Sequence, residues 1–371
     1  MKRFYIWEQS GWPYLTWDNR ELAFLLGEVR NKQGRLTGIV GLLGDELKKS
    51  ALYRSVISEI TASTRIEGKS LDEGLLTKTT GQYPSKNKFK LSETDNPTVG
   101  ASQVFMDTFF NYENQISTER LFLWKHALEG KTGYDRSGWG WFETDALLGL
   151  HSQKPIERKM ENMTVPIPAN TAGEMKSFLT WVNTLHPTDP VIKAGVAYLR
   201  FLLIRPFEDD NGLIARCIAN IFLSRADRLE ERFYSISAQI ENNRSQYQDV
   251  LLHTQTGNTD ITEWLRWFLY NLDDAISNVE TTVMRMMNKS RFFDKYRLMS
   301  LNERQLKMLN IAWDGDGDKL TSSHWASMNN CSPDTALRDI QDLISKKILR
   351  KEQGGGRSTS YCLNIEKKII F

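Results

Sequence analysis

The chain has 371 residues, of which 40% are hydrophobic and 25% charged, a composition that belongs to a globular protein long enough for two or three domains. A net charge of +2 supplies no global attraction to nucleic acid or membrane. Cys217, Cys331 and Cys362 are far apart and form no C-x-x-C pair, which argues against a cysteine zinc site or a disulfide framework and fits a reducing cytoplasm.

The N-terminal stretch "MKRFYIWEQSGWPYLTWD" lacks the apolar core of a signal peptide, and no later segment is long and apolar enough to span a bilayer. Its tryptophans, Trp7, Trp12 and Trp17, read as a packed cap rather than a ligand box. Residues 18–60 carry helical spacing through Leu22, Leu25, Leu26, Val29, Leu47, Leu52, Val56, Ile57 and Ile60. Residues 81–100 are polar and broken by Pro and Gly, which predicts a long loop. "KPIERKMENMTVPIP" (154–168) has the partial alternation of one β-hairpin. "DPVIKAGVAYLRFLLI" (189–204) is apolar on nearly every side, as a helix buried in a bundle must be.

A second core helix starts near Asn211, with Ile214, Cys217, Ile218, Ile221 and Phe222 on one face. "SAQIENNRSQYQDVLLHT" predicts a third helix, and "DITEWLRWFLYNLDDAISNV" a fourth with Asp260 as its N-cap. Composition changes near 288–300. Beyond it, "LNERQLKMLNIAW" and "SSHWASMNN" predict two short helices. A third follows, with Ser332 as N-cap and Pro333 at the first helical position, and then two short strands about a Gly-rich turn. That order is the order of a winged helix-turn-helix. The expected fold class is mainly α. An N-terminal helical extension spans 1–100, a helical core with a hairpin spans 101–288, and a winged-helix module spans 296–371.

The stretch "LLIRPFEDDNGLIAR" (202–216) lies between the two core helices, so its backbone N–H groups fall at a helix N-terminus. Unpaired donors and the helix dipole both favour phosphate there. Asn211-Gly212 suits a close backbone approach, Asp209 suits a hard cation such as magnesium, and Arg216 can fork onto phosphate from one turn inside the helix.

These residues resemble the signature of the Fic/Doc family, H-P-F-x-D-G-N-G-R-x-x-R. The likeness extends to "WEQSGWPYLTWD", to "FYSISAQIENNRSQYQDVL" and to "DITEWLRWFLYNL". The resemblance implies a Fic-type helical core with a hairpin flap, and transfer of AMP from ATP to a protein hydroxyl. It also implies a magnesium ion on Asp209 and nucleotide contacts at Asp210, Asn211, Gly212, Leu213, Arg216, Asn242 and Tyr247. "STRIEG" fits the family's inhibitory pattern [ST]-x-x-x-E-[GN], which implies that Ser63, Glu67 and Gly68 form an inhibitory helix end with Glu67 paired to Arg216. The hairpin at Met160–Val165 would be the flap that takes a protein target by strand addition.

Three positions depart from the signature. Arg205 stands where the family has its histidine base, and a guanidinium offers no acceptor for a proton. Leu213 replaces a phosphate-binding arginine. Asp210 replaces a glycine and puts a second carboxylate beside the phosphates, with Arg205 expected to offset part of that charge by pairing with Asp210 or with phosphate. No histidine occurs in the motif, and His151 is the nearest to the flap in sequence. The reading is therefore a Fic-type adenylyltransferase by fold with impaired catalysis, with ATP and magnesium as cofactors if binding is retained. An active transferase with an unusual base stays open as an alternative, as does a DNA-reading regulator using its winged helix. A homodimer is the further partner considered.

Overall fold

The structure, a computed structural model, describes residues 5–81, 89–132, 157–160, 163–166, 170–229, 231–315, 320–352 and 359–365. The chain divides into two compact units, 1–284 and 285–371. Of the loop expected over 81–100, residues 82–88 lie outside the described residues and a helix already begins at Pro97; His151 also lies outside the described residues.

In the first unit, α1 (Asn19–Gly41) starts where Asp18 accepts from the Arg20 and Glu21 amides, and α2 (Asp45–Ile66) follows after a three-residue break. Then come α3 (Glu73–Gly81), α4 (Pro97–Phe110) and α5 (Thr118–Glu129), whose N-caps include Asn96 and Ser117. The predicted hairpin is present as β1 (Glu157–Met160) and β2 (Met163–Pro166), antiparallel with Met160 opposite Met163. The core is built by α6 (Thr171–Asn183), α7 (Pro190–Ile204) and α8 (Asn211–Asp227). Asp189 caps α7, Pro190 opens it, and every residue from Val191 to Ile204 is buried. A helix with no polar face has no solvent side, so α7 runs through the middle with α8 packed along it.

The third predicted helix divides into α9 (Ile236–Asn242) and α10 (Arg244–Gln255) at Asn243, whose backbone leaves the helical region. The fourth, α11 (Thr262–Lys295), is longer than its sequence pattern indicates and continues through the composition change at 288. Asp260 accepts from the Thr262 amide at its start. Among the described residues no helix is long and apolar enough to cross a membrane.

The second unit contains α12 (Glu303–Asp314), α13 (Ser322–Met328) and α14 (Pro333–Ser345), followed by β3 (Leu349–Lys351) and β4 (Tyr361–Leu363) in antiparallel register. Ser332 caps α14, with Pro333 at its first position. Trp325, Met308, Ile340, Leu343 and Ile348 form its core. Two acids on α14 are held inside the unit: Asp339 takes Arg304 and Asn302, and Asp342 takes Lys346 and Gln305. Arg357, in the Gly-rich turn between the two strands, lies outside the described residues.

Candidate functional site

The site begins at the end of α2. Glu67 closes the helix, and Gly68 follows with a φ of 74°, a left-handed conformation that costs glycine little. The Gly68 amide donates to Arg65 O at 2.9 Å and the Lys69 amide to Thr64 O at 3.0 Å, which together form a Schellman cap. This turn fixes the directions of Glu67 and Lys69. A Gly68→Ala variant, with open space for its methyl but strained backbone, should lose about 1 kcal/mol in chemical unfolding.

Arg216 of α8 is fully buried against this helix end. Its Nε donates to Ser63 Oγ, and its second terminal nitrogen donates to Ser63 O and to Glu67 Oε1, each at 2.8 Å. Arg244 adds a bond to Ile66 O at 2.9 Å. The close approach depends on Gly212, because a methyl there would overlap Glu67 Oε1. Ser63 and Glu67 are four residues apart, so one helix face delivers both to the same guanidinium.

The loop ahead of α8 is shaped by Asn211. Its side chain accepts from the Phe207 amide at 3.0 Å and donates to Phe207 O at 2.7 Å, so it braces the turn from within. Arg205 ends α7 with φ 50° and is 1% exposed. Its Nε donates to Leu202 O at 3.1 Å, and a terminal nitrogen reaches Gln255 Oε1 of α10 at 3.2 Å. Asp210, the N-cap of α8, holds a left-handed backbone, φ 61°.

Asp210 is neutralised by lysines, which corrects the expectation that Arg205 would do so. Lys69 pairs with it directly, and Lys125 Nζ from α5 lies 3.0 Å from its other oxygen. Lys125 also bonds Asp209 and lies 3.1 Å from Glu129, and Lys69 lies 3.9 Å from Asp209. Burial pulls the Lys125 pKa down, but Asp210 and Asp209 outweigh it and hold the pKa above the ordinary value. Burial likewise pushes Asp209 up, yet Lys125 wins and its carboxyl titrates below the usual range. Sequence reasoning missed both lysines. The available signal was "EDDN" itself, because two adjacent acids at a buried turn demand counter-charge.

This clasp gives a pH prediction. A depressed Asp209 stabilises the fold above the unfolded carboxyl pKa, about 3.9, and loses that contribution as pH falls through its lower folded value. Raised Lys125 stabilises the fold below its unfolded pKa, about 10.4, and loses that contribution as pH rises through its higher folded value. Lys125→Met should therefore cost roughly 3 kcal/mol near neutrality, because it strips one cation from buried Asp210. It should also flatten both limbs of a pH–stability curve measured by urea unfolding.

Tyr247 and Asn242 do not converge on Arg216. Tyr247 is 0% exposed and stacks on Tyr198 and Trp267 with ring centroids 6.3 and 5.3 Å away, while Asn242 is exposed at the end of α9. Leu213 is buried in α8. The donor set does not fit magnesium as it stands, because both motif carboxylates already hold ammonium groups. No group of three or more potential metal ligands occurs among the described residues.

The helical core therefore has its motif loop and the following helix held by the end of α2. The Fic/DOC family model matches residues 115–223, and a domain of unknown function (DUF4172) matches residues 5–77. The likeness to the Fic/DOC family is thus confined by that model to residues 115–223, and the Glu67–Arg216 contact joins the two matched segments. A Fic family protein from Desulfovibrio desulfuricans G20 is 15% identical over 94% of this chain and 97% of its own, with a TM-score of 0.52. A Fic domain containing signaling protein from Bacteroides thetaiotaomicron VPI-5482 is 17% identical over 70% of this chain and 97% of its own, with a TM-score of 0.47. No curated protein matches the chain.

Proposed function

We propose that this chain is a Fic-fold protein impaired in ordinary AMP transfer, which binds ATP or another phosphate-bearing anion at Arg216 once the end of α2 gives way. One observation carries the reading: the residue in the base position, Arg205, is buried and bonded to Leu202 O and Gln255. A guanidinium has only donors, so it can neither accept a hydroxyl proton nor, from that position, clamp a phosphate. Glu67 and Ser63 occupy the one motif arginine that remains, which makes the end of α2 an inhibitory latch. Lys69 and Lys125 supply the positive charge that a divalent ion would bring, so binding proceeds without magnesium. The hairpin β1–β2 serves as the strand that a protein target pairs with.

The test is labelled ATP offered to the protein alone and to lysate, with calorimetry of ATP binding in magnesium and in EDTA. Transfer at a rate typical of the family overturns the impairment, and strict magnesium dependence overturns the role of the lysines. A second reading, DNA binding by the C-terminal unit, gains from the internal neutralisation of Asp339 and Asp342. A gel shift that weakens steeply with salt would support it, and one that shows no complex at low salt would remove it.

A further inference from the structure

Away from the motif, a groove of about 600 Å³ runs between the N-terminal segment and helices α6 and α7. Tyr14 and Trp17 of the N-terminal segment and Trp181 of α6 line it, together with His186, whose ring lies 5.9 Å from that of Trp181. Arg200 of α7 lines it and is 4% exposed. That guanidinium donates to Ser177 Oγ at 2.8 Å and lies over Trp181, 5.8 Å from the ring centre. Its Nε–H has no acceptor among the described residues.

No carboxylate lies within ion-pair distance of Arg200 among the described residues. Burial lowers its pKa, and the acid that opposes this shift, Glu174, has one oxygen already engaged by Trp12 Nε1 at 2.7 Å. With Lys176 at the rim, the lining has an unmatched positive charge. A buried arginine with an unpartnered Nε–H and no partner acid is costly unless something completes it. A guanidinium edge matches the two oxygens of a carboxylate, and indole and phenol walls match a flat apolar body. The volume is that of a small-molecule site.

The geometry points to a binding site for a small aromatic monocarboxylate, its acid on Arg200 and its ring between Trp17 and Trp181. This site is independent of the Arg216 cradle. It also assigns Trp17 a ligand wall, whereas Trp12 acts as the packed cap through Glu174.

The experiment uses the full chain with phenylacetate and indole-3-acetate, each against its neutral amide, followed by tryptophan fluorescence and calorimetry. Both acids should bind with Kd below about 1 mM, and each amide should bind at least about tenfold more weakly. Arg200→Gln should abolish the preference for acid over amide. Because Arg200 is buried, Thr180→Trp, at an exposed groove position, is the decisive second variant and should block binding of all four compounds. Equal affinity for acid and amide, binding that survives Thr180→Trp, or no saturable acid binding by about 10 mM would each overturn the assignment.

Discussion

Restoring His, Gly and Arg at positions 205, 210 and 213, together with Glu67→Gly, should raise AMP transfer above the wild-type level, by roughly 10²–10⁴-fold from the base alone. The readout is incorporation of label from ATP into the protein or into lysate. Each change has a separate physical purpose. Arg205→His supplies a proton acceptor. Leu213→Arg supplies a phosphate donor on the first turn of α8. Asp210→Gly removes one of the two acids that hold Lys125 and Lys69, and Gly tolerates the left-handed backbone found there. Lys125 would still hold Asp209, as well as Glu129, so a further Lys125→Ala should raise the restored rate in magnesium by freeing the Asp209 carboxylate. Equal transfer by wild-type and restored chains would show that these three positions do not set the rate.

The second large effect concerns the latch. Glu67→Gly should tighten ATP binding by about ten- to a hundredfold, since it removes a charge-assisted bond of about 1.5–3 kcal/mol from Arg216. Gly212→Ala should act in the same direction with the glutamate still present, because its methyl must push the Glu67 carboxylate aside. That pair separates steric release from loss of charge. If Gly212→Ala left ATP affinity unchanged by calorimetry while Glu67→Gly raised it, displacement of the carboxylate would not be the route of release.

Much of the fold was legible because it depends on local pattern. Asp189-Pro190 followed by a run that is apolar on nearly every side marks a buried helix, and Ser332-Pro333 marks another helix start. The end of the helix at Asn243 is harder to read, because "ENNRSQ" remains compatible with helical spacing. At the site, one sequence segment held the loop, and S-x-x-x-E-G placed Ser63 and Glu67 on one face of a helix, where both touch Arg216. The lysines were invisible for a different reason. Lys125 meets Asp209 from 84 residues earlier in the chain, and only the packing of α5 brings it there. Arg205 was misjudged because its left-handed backbone turns the side chain toward α10, a direction that spacing does not encode.

Glu67 and Lys69 grip α8 and its loop from the two sides of one glycine turn. The end of α2 is therefore a two-pronged tethered ligand of that loop. With either prong detached, the other keeps it at high local concentration, so a competing anion must lift both before access is gained. Release should consequently be sharper than either contact alone would permit, and weakening the Lys69 prong should sensitise the loop to ATP even though Lys69 is not among the partners of Arg216.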